Sequence, residues 1–318
     1  MIFHTFVFLI SCFVLFVAGE WLVQSLSRIA RFLCWREFVV AFIVMAFAAS
    51  LPNLFVGITS VLHQVPELCF GDVAGNNLVA LTLAISLAVL IGKKELPAES
   101  KTVQVTSVFT MIAAILPLIL ILDGKLTRGD GILLISTFFL YIFWLFSKRE
   151  RFTRVYDGHE APSVKGFKVF IQDLGKIIFG LMLLLLAAQS IVSSAQFFAH
   201  SFNVSIILIG VLVTGLGSAL PEVYFAIISA KRGETWMILG NLMGAVIVPA
   251  TLVLGIIALI SPIEIIDFSP LLVARLFLTI SALFFFFFTK TDRKITKREA
   301  LFLLLIYILF VVFTVLLQ

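Results

Sequence analysis

A chain of 318 residues that is 61% hydrophobic and only 13% charged, at a mean hydropathy of +1.17, lies outside the range of soluble domains and reads as a membrane protein. Its net charge of +5 comes from loop residues suited to anionic lipid headgroups, so the bilayer is the expected partner and nucleic acid is not. Three cysteines, Cys12, Cys34 and Cys69, show neither paired nor metal-type spacing, which excludes a disulfide framework.

Lipid admits only helices or closed barrels, because backbone groups find no water there. Uninterrupted apolar runs such as Gly180 to Ala187 and Ile256 to Ile260 lack the alternation of a barrel strand, so the spans are helical. Taken in chain order, hydropathy predicts helices near 3–27, 38–62, 71–92, 104–122, 130–147, 172–199, 204–230, 236–260, 270–289 and 300–317. The first run, Phe6 to Ala18, has no Lys or Arg before it and continues into GEWLV without a cleavage site, so it reads as a retained helix. Phe284 to Phe288, in the ninth helix, are expected to face lipid. His4, His63, His159 and His200 fall near loops without ligand spacing, so no metal cluster is expected.

With ten crossings, alternate loops share a side, and twenty of the 23 Lys and Arg residues then collect on one of them, in loops around 28–36, 93–101, 148–176, 231–232 and 290–298. The opposite side keeps Lys125 and Arg128, with Arg275 in or beside the ninth helix. The positive-inside rule places the basic loops in the cytoplasm and both termini outside a multi-pass cell-membrane protein.

Displaced by 169 residues, the chain aligns with itself without gaps. Ala18, Val23, Ser25 and Ala30 fall on Ala187, Val192, Ser194 and Ala199, Leu51-Pro52 on Leu220-Pro221, Gly71 on Gly240 and Gly75 on Gly244. Residues 1–147 and 172–318 are thus read as two repeats joined by a cytoplasmic loop, 148–171. Five helices per repeat is an odd number, so the second copy is inverted relative to the first, the plan of many secondary transporters. The proline and glycines are expected to interrupt corresponding segments of each half and to free backbone carbonyls there.

The two halves read AFAASLPNLFVGI then GDVAGNN, and GLGSALPEVYFAI then LGNLMGAV. At these residues the chain resembles the calcium/cation antiporter superfamily, which includes the sodium/calcium exchangers, as a divergent member. The resemblance implies an all-α protein of ten helices in two inverted five-helix repeats, with cations bound among the second, third, seventh and eighth. The family's two glutamates fall on Asn53 and Glu222, and its Thr-Ser pairs on Ala49-Ser50 and Ser218-Ala219. Its asparagine on the third helix is Asn77, whereas the counterpart on the eighth is replaced by Val246.

A carboxylate at mid-membrane costs on the order of 3 kcal/mol and marks an ion or proton pathway, which singles out Glu222. Asn53 and Asn77 offer neutral oxygen ligands. The Ser50 and Ser218 hydroxyls are either ligands or helix-to-helix glue. Asp72 stands where the other half has Asn241, about 140° round the helix from Asn77, and is either a helix-end cap or a sixth site residue. Glu20, opposite Gln189, reads as structural or gating.

The resulting reading is a cation antiporter working by alternating access, sodium/calcium exchange first, without enzymatic activity or a resident cofactor. Calcium, sodium or protons are its substrates. A monovalent cation/proton exchanger with a single site carboxylate is the alternative, since calcium prefers several carboxylate oxygens. Two other classes stay open: an intramembrane serine protease using Ser218 with His200, and a membrane partner that transports nothing.

Overall fold

The computed structural model of the chain describes residues 1–32, 45–92, 95–147, 164–233, 235–265 and 269–316. Ten helices follow one another: α1 (Ile2–Phe32), α2 (Met45–Leu62), α3 (Pro66–Gly92), α4 (Lys101–Leu120), α5 (Arg128–Ser147), α6 (Val164–Phe202), α7 (Ile206–Arg232), α8 (Thr235–Ile247 continuing to Ile260), α9 (Ser269–Thr291) and α10 (Lys297–Leu316). Nine of these are long and apolar enough to cross a membrane among the described residues, and Ala49–Leu62 of α2 adds a shorter apolar segment. Residues 38–44 of the second predicted helix, and most of the loop from 148, lie outside the described residues. Helix α6 already runs from Val164, ahead of its apolar span, because hydropathy marks the membrane-crossing part of a helix and not its polar extension.

Local chemistry sets the helix starts. Thr127 and Asp130 form a reciprocal capping box at α5: the carboxylate accepts from the Thr127 N–H at 2.8 Å, and the Thr127 hydroxyl accepts from the Asp130 N–H at 3.3 Å. Thr296 and Glu299, 169 residues on, repeat this box at α10, at 2.7 and 3.4 Å. Pro66 begins α3, where its missing N–H costs nothing. Left-handed residues also recur at that spacing: Gln64 (φ 60°) with Gly233 (φ 79°), and Gly124 (φ 95°) with Arg293 (φ 52°).

Contacts between the halves obey the same relation. If a two-fold relates the halves, a contact between i and j implies one between i + 169 and j − 169. Four two-residue strands follow it to within a two-residue shift of register: β1 (Leu96–Pro97), β2 (Lys125–Leu126), β3 (Ile263–Glu264) and β4 (Lys294–Ile295), with β1 antiparallel to β4 and β2 to β3. Each pair carries an exposed ion pair, Lys294–Glu95 at 2.8 Å and Lys125–Glu264 at 2.9 Å, and these are images of each other. Each sheet also joins two loops that ten alternating crossings assign to one side. Helix α3 packs on α10, where the Ser86 hydroxyl donates to the Ala300 carbonyl at 2.7 Å, and α8 packs on α5, where Gly255 meets Gly131.

Helices α3 and α8 form the centre, with 78% of their spans buried against 28% for α5 and α10. Both widen to π geometry at matching places, Ala80–Ala84 and Val248–Val253. One apolar core surrounds this pair, and a second joins α1 and α6, which lie along each other and reach the centre through α2 and α7.

Two sequence expectations change. The motif glycines do not interrupt α3: its helix continues through Gly71 and Gly75, whose missing side chains let α7 approach. Pro52 lies inside a continuous Met45–Leu62 helix, and among the described residues of these motifs the break occurs in α7, at Ala219 before Pro221. Nor do all five phenylalanines face lipid. At 100° per residue they must encircle α9, so Phe285 is buried in the core while Phe287 is exposed.

A Cβ at Gly71 would strike the Ile207 carbonyl and come within 3.0 Å of Gly210 Cα, whereas one at its mate Gly240 meets nothing within 4 Å. Gly71→Ala is therefore expected to lose about 1–3 kcal/mol through overpacking, and Gly240→Ala to stay within roughly 0.5 kcal/mol of the parent, as read by thermal unfolding in detergent.

Candidate functional site

The site starts from glycine. Along α3, Gly71 and Gly75 touch Gly210 and Gly215 of α7 backbone to backbone: a Cβ on Gly210 would lie 2.9 Å from Gly71 Cα, and one on Gly215 would lie 2.7 Å from Gly75 Cα. Small residues permit such approach between membrane helices. The crossing carries Asp72, between the two α3 glycines, against the end of the first segment of α7, where Ser218 precedes the break.

There the polar side chains meet. The Ser218 hydroxyl donates to Asp72 Oδ1 at 3.0 Å, with the Gly215 carbonyl as a second acceptor at 3.2 Å. From α2, Asn53 Nδ2 donates to Asp72 Oδ2 at 3.0 Å and reaches Ser218 Oγ at 3.4 Å. Three helices thus converge on one carboxylate. Glu222 sits one turn beyond Ser218, within electrostatic range of Asp72. Ser50, Asn53, Asp72, Asn77, Ser218 and Glu222 are all at most 4% exposed.

Among the described residues, no Lys or Arg forms an ion pair with Asp72 or Glu222; the three ion pairs there are Arg28–Asp173, Lys125–Glu264 and Lys294–Glu95. Four buried oxygens on these helices have no protein donor: Asn53 Oδ1, Asn76 Oδ1, Asn77 Oδ1 and Glu222 Oε2. All four are acceptors. A cation or a proton satisfies such a set and an anion does not. No group of three or more His, Cys, Asp or Glu among the described residues is placed to hold a metal, so any cation here takes amide and hydroxyl oxygens beside carboxylates, as hard ions do.

A model of the family described as sodium/calcium exchanger protein matches residues 3–147 and 174–316. The chain belongs to that family. Among relatives, it is 27% identical over 276 residues to the inner membrane protein YrbG of Escherichia coli, covering 83% of this chain and 82% of that one. It is 23% identical to the sodium/calcium exchanger MaX1 of Methanosarcina acetivorans, covering 98% and 99%. The sodium-calcium exchanger NCX_Mj, soaked with 2.5 mM Na+ and 1 mM Sr2+, superposes with a TM-score of 0.67 at 24% identity over 98% of both chains, which establishes a shared fold.

Family membership makes the departures informative. Asp72 is not a helix-end cap: it lies inside α3, which begins at Pro66 without a side-chain cap, and its oxygens accept from Asn53 and Ser218. Ser218 is bonded to Asp72, while His200 is exposed at the end of α6, so the pairing needed by a serine protease is not present. Val246 is fully buried and has no oxygen to offer as a ligand. Asn76 was missed by motif reading. It lies four residues after Asp72 on the same helical face, and its Nδ2 donates at 3.2 Å to the carbonyl of Ala245, its own repeat mate. That i, i+4 spacing from a buried acid was the available signal.

If Asn53 and Asp72 act as a bonded pair, a double-mutant cycle of Asn53→Ala and Asp72→Ala in thermal unfolding should yield a coupling of about 1–3 kcal/mol, as for a hydrogen bond to a buried charged group. Additive losses would show that the contact contributes nothing.

Proposed function

We propose that this chain is a secondary active antiporter exchanging sodium for calcium by alternating access. One observation carries the reading: a buried Glu222 with an unpartnered oxygen, on helices that carry further unpartnered acceptor oxygens and with no Lys or Arg paired to it among the described residues, inside a sodium/calcium exchanger fold. The cation is the substrate, held by Glu222 with Asn53, Asn77, Ser50 and Ser218, while α3 and α8 at the centre provide the enclosure. A proton/monovalent-cation cycle is the second reading, favoured by Asn53 standing where the family has a glutamate.

The membrane units of this proposal are residues 1–147 and 172–318, joined through the 148–171 loop. Its orientation puts the β1–β4 end, with the basic loops, in the cytoplasm and both termini outside.

Purified protein in liposomes should take up calcium when sodium is loaded inside, and Glu222→Gln should reduce this to background while its melting temperature stays close to the parent's. Proton or potassium flux without calcium flux would select the second reading, and unchanged calcium flux in the variant would move the site elsewhere. In a background with Cys34 replaced by Ser, single cysteines at exposed Glu99 and Arg128 should react with an impermeant thiol reagent from opposite faces of sealed cells, Arg128 from outside. Labelling from the same face would refute the topology.

A further inference from the structure

We propose that Asp72 is the second anionic ligand of the transported divalent cation, moved from α2 to α3 by an exchange of side-chain type with Asn53. The inference rests on the sodium/calcium exchange reading above.

The repeat exposes the exchange. In the second half, the position on α7 after Leu-Pro carries an acid, Glu222, and the position on α8 after glycine carries an amide, Asn241. In the first half the same two positions carry an amide, Asn53, and an acid, Asp72. Each half keeps one acid and one amide, so the negative charge at the four positions remains two. A motif reading that checks each position separately records a lost glutamate at Asn53 and overlooks its replacement one helix away.

The geometry shows why the substitution works. Asn53 Nδ2 lies 3.0 Å from Asp72 Oδ2, so the charge stands one hydrogen bond from the residue that replaced the glutamate. A carboxylate offers about four lone-pair positions; Asn53 and Ser218 take one on each oxygen, and the Thr214 hydroxyl is close enough to take a third. Asp72 thus keeps capacity for a cation. Asn53 directs its amide nitrogen to Asp72 and Ser218, and its Oδ1 is left buried without a donor. The amide therefore serves twice: its nitrogen holds the relocated carboxylate and its oxygen is free to ligate. Aspartate is shorter than glutamate by one methylene, and the Gly75–Gly215 contact, which draws the α3 backbone onto α7, makes up the reach. Glu222 and Asp72 together match the charge of a divalent ion.

Asn53→Glu alone is thus expected to impair exchange, since it adds a third carboxylate in place of the donor that Asp72 requires. The decisive comparison is among Asp72→Asn, Asn53→Glu and the double exchange, each as the full chain. Sodium-driven calcium uptake in liposomes and the rise in melting temperature on adding calcium in detergent are the two readouts. Asp72→Asn should weaken apparent calcium affinity by about a hundredfold and abolish the calcium-induced rise, with its melting temperature in calcium-free buffer showing that it is folded. The double exchange should recover both readouts to within about threefold of the parent, which a purely structural Asp72 would not produce. Parental affinity in Asp72→Asn, or a folded double exchange that does not recover, overturns the inference while the exchange reading stands. Absence of calcium uptake and binding in the parent overturns both.

Discussion

The buried hydrogen bonds around Asp72 depend on two helix backbones being allowed to touch. Gly71 and Gly75 on α3 and Gly210 and Gly215 on α7 remove the side chains that would hold the helices a full side-chain layer apart. Between lipid tails that are as apolar as the helices themselves, association draws on close packing and on hydrogen bonds, and both are maximal where no Cβ intervenes. The crossing puts Asp72 within 3.0 Å of Ser218, and α2 then closes over the pair with Asn53. Displace α3 by the width of a methyl group and a buried carboxylate loses the donors that let it remain there.

The two-fold relation between halves is kept where it concerns packing and relaxed where it concerns chemistry. Capping boxes, left-handed turns, π segments and the ion pairs beside the two strand pairs recur 169 residues apart. Asn76 even bonds the backbone of its own mate, Ala245, which has only a methyl group to return. At the ends of the α1–α6 pair the relation holds in position but not in kind. Arg28 grips Asp173 through two nitrogens at 2.7 and 2.8 Å, and at the equivalent residues of the other end His4 stacks on Phe197 at 3.8 Å. An ion pair with one partner 2% exposed ties the helices more firmly than a ring stack near the surface, so the two ends of this pair are unequal. The exposed pairs on the sheets, by contrast, add little to stability.

A carboxylate taken out of water without a counter-ion costs several kcal/mol, and the neutral donors around Asp72 and Glu222 offset only part of that. Four further oxygens on the same helices, those of Asn53, Asn76, Asn77 and Glu222, are buried without donors and leave the centre of the fold electron-rich. Such an arrangement is stable in the company of a cation or a proton, and this links the folding energetics of the centre directly to ion binding.

The helices and the repeat were legible from residue type alone, because the bilayer demands long apolar runs and the matching residues recur at one unbroken spacing. Motif alignment likewise located Asn53, Asn77 and Glu222 on the second, third and seventh helices, and the structure finds them buried there. The role of Asp72 was not legible. Spacing along α3 says how far round the helix Asp72 lies from Asn77, but whether that face meets lipid, a helix end or another side chain depends on which helix crosses it and at what distance. The same holds for the glycines, which read as helix breaks and prove to be contact points, and for Phe285, whose surroundings belong to other helices. Sequence determined which segments enter the membrane and which residue types they carry. Only the packing of α3 on α7 decided which of those residues share a hydrogen bond, since the contact lies 146 residues apart in the chain and is set by backbone approach.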